Sequence, residues 1–237
     1  MIINTVSFDA GGVLVNPNWD RVAAALRAHG VAADARVLEA AEPGAKRRFD
    51  RAPTIDATND RERGWIYFNH VLEGAGIAMS AATLAALGDL QVYHTQNNLW
   101  ESVAPGTHDA LAEIRSRGLT IILVSNANGR LHALLDRLDL TRYFDVIVDS
   151  SVEQVEKPDP RLFQIAMGRA GAVPERTLHV GDLYHVDVVG ARAAGVHPLL
   201  IDTADLYRDA DCPRVRAMSQ VPSFIFDDFE RLPRSRS

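Results

Sequence analysis

Phe8-Asp9-Ala10-Gly11-Gly12-Val13-Leu14 sets a single carboxylate between an apolar run and a pair of glycines. Upstream, Ile2-Ile3-Asn4-Thr5-Val6-Ser7-Phe8 is short and rich in β-branched and aromatic residues, which predicts a buried strand. Asp9 then falls at the carboxyl end of that strand, directly on a Gly-Gly turn. Glycines after an acid permit backbone angles closed to other residues and let bare main chain approach a ligand. In an open α/β sheet, ligands bind beyond the carboxyl ends of the strands. Taken alone, the stretch reads equally well as a strand and an ordinary turn, since Asp and Gly are common turn residues.

The pattern downstream decides between these readings. After Pro105-Gly106 the chain alternates helix and strand: helix from Thr107 to Arg117, strand Thr120-Ile121-Ile122-Leu123-Val124, helix from Leu131 to Leu138, strand Val146-Ile147-Val148. A helix from Pro160 to Ala170, strand Leu178-His179-Val180, a helix from Val186 to Ala194 and strand Pro198-Leu199-Leu200-Ile201 come next, with Ser223-Phe224-Ile225-Phe226 as a possible last strand. Unbroken apolar strands alternating with helices predict a doubly wound parallel α/β sheet, Rossmann-like, with helices on both faces.

Residues 17–100 read differently. Asn18 is placed to cap a helix that stops near Gly30, and shorter helical pieces lie over Ala35–Ala41 and Ala45–Arg51, divided by Pro43-Gly44. A further helix runs from Asp60 to Leu72, its apolar face drawn from Trp65, Ile66, Phe68, Val71 and Leu72. Another starts at Ser80 with Leu84, Leu87, Leu90 and Val92 and runs on toward Trp100. No strand is expected between Val15 and Thr120. The expected organisation is therefore an α/β core of residues 1–16 and 101–237, with a small helical cap, residues 17–100, inserted after the first strand.

Composition narrows the function. The 237 residues are 47% hydrophobic and 24% charged, as in an ordinary globular protein. A net charge of −6 without a long basic run argues against nucleic acid or an anionic membrane as the main partner. Cys212 is the only cysteine, which excludes an internal disulfide and a zinc site built on several thiolates. With no signal-type N-terminus and no 18-residue apolar run, a cytoplasmic location is expected.

The strand ends carry the chemistry. The Ile121 strand ends in Ser125-Asn126, a hydroxyl and an amide suited to phosphate oxygens or a carboxylate. After the Val146 strand comes Glu156-Lys157-Pro158-Asp159-Pro160, where two prolines stiffen the loop. Lys157 is one of two lysines against 23 arginines, so its compact ammonium at this place stands out. The Leu178 strand ends in Gly181-Asp182, with Asp187 five residues on. Two carboxylates at a strand exit suit a hard divalent cation, although Asp182 would also serve as a helix N-cap.

In order and spacing these four segments resemble the haloacid dehalogenase-like hydrolase superfamily, and the helical insertion resembles the cap of its subfamily I. The resemblance implies Asp9 as nucleophile toward phosphorus, forming an aspartyl-phosphate that water hydrolyses. It implies Ser125 and Lys157 as binders of the phosphoryl oxygens, with Gly11, Gly12 and Asn126 lining the substrate site. It implies Mg²⁺ held by Asp9, the Gly11 carbonyl and Asp182, with Asp187 as ligand or behind them. The expected activity is thus a Mg²⁺-dependent phosphatase acting on a small phosphorylated metabolite.

One residue departs from the pattern. Phosphatases of this superfamily usually carry a second aspartate two residues after the nucleophile, and here that position is Gly11, which cannot transfer a proton. A carbon–halogen or carbon–phosphorus hydrolase, or a catalytically weak phosphate-binding relative, is therefore the alternative. Retention of Asp182 argues against the metal-free dehalogenases. A carbon–phosphorus hydrolase would use a cap lysine as a Schiff base; Lys46 is the only one, and Lys46-Arg47-Arg48 reads as a solvated helix face. His185 is a possible replacement acid, more readily a helix-start residue. His179 reads as a packed, hydrogen-bonded histidine, and Trp19, Trp65, Tyr67 and Trp100 as core aromatics that could also line a pocket.

Overall fold

Thr5–Phe8 forms β1 with all four residues buried, the mark of a strand covered on both faces. The computed structural model describes residues 3–229; Met1, Ile2 and the Arg-rich tail lie outside the described residues. Beyond β1 the chain turns into β2 (Val15–Asn16) and then enters five helices: α1 (Trp19–Ala28), α2 (Ala35–Phe49), α3 (Ala52–Ala57), α4 (Asp60–Gly74) and α5 (Ala81–Asn97). It returns through β3 (Ser102–Val103), which pairs antiparallel with β2, Val15 facing Val103. Then come α6 (Thr107–Ser116), β4 (Thr120–Ser125), α7 (Leu131–Arg137), β5 (Val146–Asp149), α8 (Ser150–Glu153), α9 (Pro160–Ala170) and β6 (Thr177–Gly181). A wide helical turn over Tyr184–Val188 leads into α10 (Val189–Ala193), and the chain goes on to β7 (His197–Ile201) and β8 (Arg214–Val215).

The main sheet has six strands in the order β5-β4-β1-β6-β7-β8, paired in parallel throughout. The chain steps outward from β1 through β4 to β5, then crosses back to the other side of β1 for β6, β7 and β8. β1 therefore stands at the reversal of strand order, where such sheets open a crevice. Phe8 is in register with Leu123 on one side and Val180 on the other, so Asp9, Ser125 and Asp182 leave the sheet side by side.

One face of the sheet is packed by Leu111, Ile114, Leu134 and Val221 against Val6, Phe8 and Ile121, the other by Leu162, Phe163 and Ala166 against Ile122 and Val124. Helices α1–α5 bury a cluster of their own, which includes Val22, Leu26, Leu38, Val71, Leu72 and Leu87. Their ends are locally specified. Asn18 accepts from the Arg21 N–H at α1, Asn59 and Glu62 form a reciprocal capping box at α4, and Ser80 caps α5. Where this helical segment leaves and rejoins the sheet, Glu101 accepts from Asn18 Nδ2 at 3.0 Å, Arg21 Nε at 2.8 Å and Tyr93 Oη at 2.8 Å.

Several local expectations give way to tertiary packing. Pro43-Gly44 does not divide α2, which runs unbroken from Ala35 to Phe49. A proline removes one helical N–H and crowds the preceding turn, but Leu38, Ala45 and Phe49 on one face are buried among neighbouring helices and carry the helix through. The β2–β3 pair lies where no strand is expected, because two-residue strands leave no periodicity to read. On α4 the buried residues are Arg63, Tyr67, Val71 and Leu72, while Trp65 is exposed; on α5, Leu84 and Val92 are exposed as well. α5 stops at Asn97, short of Trp100. Ser223–Phe226 is helical, not a strand, and packs Phe224 and Ile225 into the sheet's core. β8 extends the sheet through Arg214–Val215, a pairing with no apolar run to announce it.

Candidate active site

Asp9 projects from the end of β1, its N–H donating 2.9 Å to the Val180 carbonyl of β6. Lys157, from the loop after α8, reaches the same spot with its side chain 1% exposed. Its Nζ lies 2.9 Å from Asp9 Oδ1 and 2.7 Å from Asp187 Oδ1. Burial alone would lower the pKa of such a lysine, but the two carboxylates outweigh it and hold the ammonium well above the usual lysine range. Asn126 fixes the backbone that carries it: its Oδ1 accepts from the Lys157 N–H at 2.7 Å, and its Nδ2 donates to the Lys157 carbonyl at 3.0 Å. The Asn126 amide, expected to touch substrate, is thus engaged in placing Lys157. Ser125 is buried beside it at the end of β4 and faces the cavity over the strand ends.

Asp187 is held from four directions. Oδ1 accepts from Lys157 Nζ and lies 3.2 Å from His179 Nε2; Oδ2 accepts the N–H groups of Asp182 at 3.1 Å and Leu183 at 3.0 Å. Burial would raise its pKa, but Lys157 and His179 overcome that and keep it ionised far below the usual carboxylate range. His179, buried in β6, is pushed below its ordinary pKa by desolvation and is neutral at physiological pH. Ser7 Oγ meets His179 Nδ1 at 3.0 Å, so the assignment that satisfies both partners puts the ring proton on Nε2, donating to Asp187. Gly181 is required for this packing: a Cβ there would lie 2.2 Å from Asp187 Cβ and Cγ.

Asp182 is 5% exposed, and burial, with Asp187 and Asp9 nearby, raises its pKa to about 7 against the opposing pull of Lys46. Lys46 is here because α2 lies over the site, not on a solvated face. Its Nζ is 2.6 Å from Asp182 Oδ2 and 2.5 Å from Glu42 Oε1. Lys46 makes one of several contacts between the helical segment and the sheet-side loops that sequence reasoning missed, three of which border the site. In the second, Arg63, buried in α4, pairs with Glu156 at 3.0 Å, and the Asp60 N–H donates to the same carboxylate at 3.0 Å. In the third, Asp50, fully buried at the end of α2, accepts from the Tyr184 N–H at 2.6 Å, the His185 N–H at 2.9 Å and Tyr207 Oη at 2.7 Å. His185 turns its Nδ1 to the same carboxylate at 3.2 Å and does not line the cavity, so it does not fill the place of the missing acid.

A cavity of about 1010 Å³ opens over these groups. Asp9, Ser125, Lys157 and Asp182 line it from the sheet side, and Phe49, Asp60, Trp65, Tyr67, Phe68, Leu90 and Trp100 from the helical side. The aromatic rings brace one another, Tyr67 and Phe68 at 5.1 Å and Phe68 and Trp100 at 5.8 Å between centroids. Trp19 is buried beneath them. Cys212 is half-buried, with burial pushing its thiol up to about 11, away from thiol chemistry at neutral pH.

The residues fit a divalent cation. Asp9, Asp182 and Asp187 each offer a carboxylate oxygen, all within 4.8 Å of one another. Asp9 Oδ1 is a buried anionic oxygen without a hydrogen bond, Lys157 meeting it as an ion pair only. Carboxylate oxygens in this number suit Mg²⁺. Both oxygens of Asp187 already have partners, which leaves Asp9 and Asp182 as the available donors.

A family model described as haloacid dehalogenase-like hydrolase matches residues 3–195. The human haloacid dehalogenase-like hydrolase domain-containing protein 3 is 32% identical over 193 residues, covering 79% of this chain and 76% of that protein. Glyceraldehyde 3-phosphate phosphatase of Methanothermobacter thermautotrophicus is 31% identical over 145 residues, 60% of this chain and 64% of the relative. Among solved structures, the magnesium-bound HAD-hydrolase YfnB of Bacillus subtilis superposes with a TM-score of 0.69 at 17% identity, covering 95% of this chain and all of the other, a likeness of fold. Among the described residues, no helix is long and apolar enough to cross a membrane.

Proposed function

The chain belongs to the haloacid dehalogenase-like hydrolases, and from that membership we propose that it is a Mg²⁺-dependent phosphatase whose nucleophile is Asp9 and whose substrate is a small phosphorylated metabolite. The observation that carries this reading is the meeting of Asp9 and Lys157 at 2.9 Å in the lining of the cavity, with Ser125 and Asp182 at the neighbouring strand ends. Relatives named as phosphatases of glyceraldehyde 3-phosphate and phosphoglycolate support the phosphoryl reading.

In this reading a phosphate monoester enters the cavity with its phosphoryl group against Ser125 and Lys157. Lys157 arrives already charged and already positioned, so no reorganisation is needed when negative charge builds on the phosphoryl oxygens. An Asp9 oxygen attacks phosphorus, the bond to the ester oxygen breaks, and the alcohol departs with a proton from outside position 11. Water then attacks the aspartyl-phosphate, releasing inorganic phosphate and restoring the Asp9 carboxylate. Asp9, the Gly11 carbonyl and Asp182 would hold Mg²⁺, with Asp187 behind them aligning Lys157 and the turn at Asp182. The bound ion supplies charge neutralisation at the phosphoryl oxygens. Residues 17–100 act as the cap, with α2 and α4 excluding bulk water and the aromatic lining selecting the substrate.

Lys46 does not favour the carbon–phosphorus alternative. A Schiff base needs a free amine, and Glu42 and Asp182 hold this one as an ammonium, overcoming the effect of burial. The deciding experiment is a panel of phosphate monoesters, phosphonoacetaldehyde and a haloacid, each with Mg²⁺ and with EDTA. Release of phosphate from monoesters that stops with EDTA is the expected result. Haloacid turnover indifferent to EDTA would replace the phosphatase reading.

A further inference from the structure

Lys46 is chemically out of place for a residue in a basic run. Its side chain is 17% exposed, and its Nζ is clamped between Asp182 Oδ2 at 2.6 Å and Glu42 Oε1 at 2.5 Å. The backbone opposite is shaped to admit it. Gly12 has φ +74, and a Cβ there would lie 2.0 Å from Asp182 Oδ2 and 2.5 Å from Lys46 Nζ. Only a bare α-carbon leaves room for the carboxylate and the ammonium together.

Asp182 is thereby addressed by two cations. As a metal ligand it offers an oxygen to Mg²⁺, yet Lys46 already neutralises one oxygen of this buried carboxylate. A divalent ion and an ammonium a few ångströms apart repel strongly where the effective dielectric is low. The lysine has somewhere to go. Glu42, one helical turn earlier on α2, already touches Nζ and is itself steadied by Tyr67 Oη at 3.3 Å.

We propose that Lys46 is a tethered counter-cation of Asp182 that a divalent metal must displace onto Glu42, so that loading the site and loosening the grip of α2 are one event. The inference rests on the metal reading above and makes Lys46 a positioning residue, not a catalytic one. In the metal-free protein it balances Asp182, as Lys157 balances Asp9 and Asp187. On metal binding that task passes to the ion, and the contact between α2 and Asp182 is given up.

The test is Mg²⁺ affinity by titration calorimetry on the full chain in a thermodynamic cycle of Lys46→Met, Glu42→Gln and the double variant. Lys46→Met should tighten Mg²⁺ binding by about tenfold, within the usual range for two coupled sites. Glu42→Gln should weaken binding when Lys46 is present and have little effect when it is absent, because it then has no displaced ammonium to receive. An unchanged or weaker affinity in Lys46→Met overturns the proposal. So does an equal effect of Glu42→Gln in both backgrounds, which would mean simple long-range charge, and so does the absence of Mg²⁺ binding in every variant. The unmutated protein gives a second measurement that does not depend on any variant folding. It has only two lysines, so peptide mass analysis after amine acetylation separates them cleanly. Saturating Mg²⁺ should speed modification of Lys46 severalfold and leave Lys157 protected; no change at Lys46 overturns the displacement. Phosphatase assays on the same wild-type sample keep the two readings apart. Mg²⁺-stimulated hydrolysis with a flat cycle removes only the displacement, and the expected cycle without hydrolysis removes only the phosphatase.

Discussion

Simple alkyl phosphates should be poor substrates of this protein, and an aspartate at position 11 should not repair them while Trp100 is in place. General acid assistance is commonly worth about 10²–10⁴-fold, or about 3–5 kcal/mol of barrier. Without it, the rate has to track the stability of the departing oxyanion, and kcat/KM should fall steeply as leaving-group pKa rises. Gly11 has no positive φ, so backbone conformation does not forbid a side chain there. Space does. A Cβ at position 11 would stand 3.3 Å from Trp100 Cδ1 and 3.4 Å from Nε1, a tight contact to which the indole has to yield before a side chain fits. Overpacking of this kind costs about 1–3 kcal/mol. Gly11→Asp alone should therefore lower thermal stability and leave the slope steep. Gly11→Asp with Trp100→Leu should gain at least about tenfold on alkyl phosphates relative to Trp100→Leu, the low end of what an acid supplies. The assay is kcat/KM against leaving-group pKa for wild type, both single variants and the double variant. A shallow slope in the wild type would refute the reasoning and turn attention to Asp60, a carboxyl on the same cavity.

Asp9→Asn should abolish turnover while the melting temperature moves by only a few degrees; a variant that keeps a substantial fraction of the wild-type rate would rule out the covalent route. Asp60→Asn should stabilise the fold at about pH 8 and not at about pH 3.5. Burial raises the Asp60 carboxyl to about 6, with Glu156 and Asp9 adding to the effect and Arg63 opposing it, whereas an unfolded Asp titrates near about 3.9. The native state therefore keeps a proton that the unfolded chain has lost, and stability drops as pH rises through that window. The Asp60 side chain is 46% exposed, so water screens the effect to below about 1 kcal/mol; equal stabilisation at both pH values would contradict it. Asp50→Ala leaves the Tyr207 hydroxyl and the N–H groups of Tyr184 and His185 without their acceptor. At about 1–3 kcal/mol for each buried orphan, urea unfolding should show a loss of about 3 kcal/mol or more; a loss under about 1 kcal/mol would mean that water takes the place of the carboxylate.

The long apolar strands, their parallel direction and the place of Asp9, Ser125 and Asp182 at strand exits are readable from the chain alone, as is Lys157 in the Pro-containing loop beyond β5. A doubly covered strand is a continuous apolar run, and the residue after its last apolar position necessarily stands at the sheet's end, so local pattern and site position are the same information. The helix starts at Asn18, Asn59 and Ser80 are readable for the same reason, since a cap and the N–H it satisfies lie within three residues. Tertiary structure alone decides the pairings of distant segments. Val15 meets Val103 in a bridge too short to have a period. Pro43 sits inside a continuous helix because Leu38 and Phe49 are gripped on one face. Lys46 stands in a basic run that elsewhere would be solvated, and Asp50 looks like any loop acid. Each becomes a buried ionic or hydrogen-bonded group because α2 is laid across the ends of the strands, against Asp182 and Tyr184. Charge in a helix is read from sequence as exposure, since a desolvated ion is costly unless paired. Glu42 is one helical turn from Lys46, but Asp182 and Tyr184 lie more than 130 residues from Lys46 and Asp50, and only the fold brings them within reach.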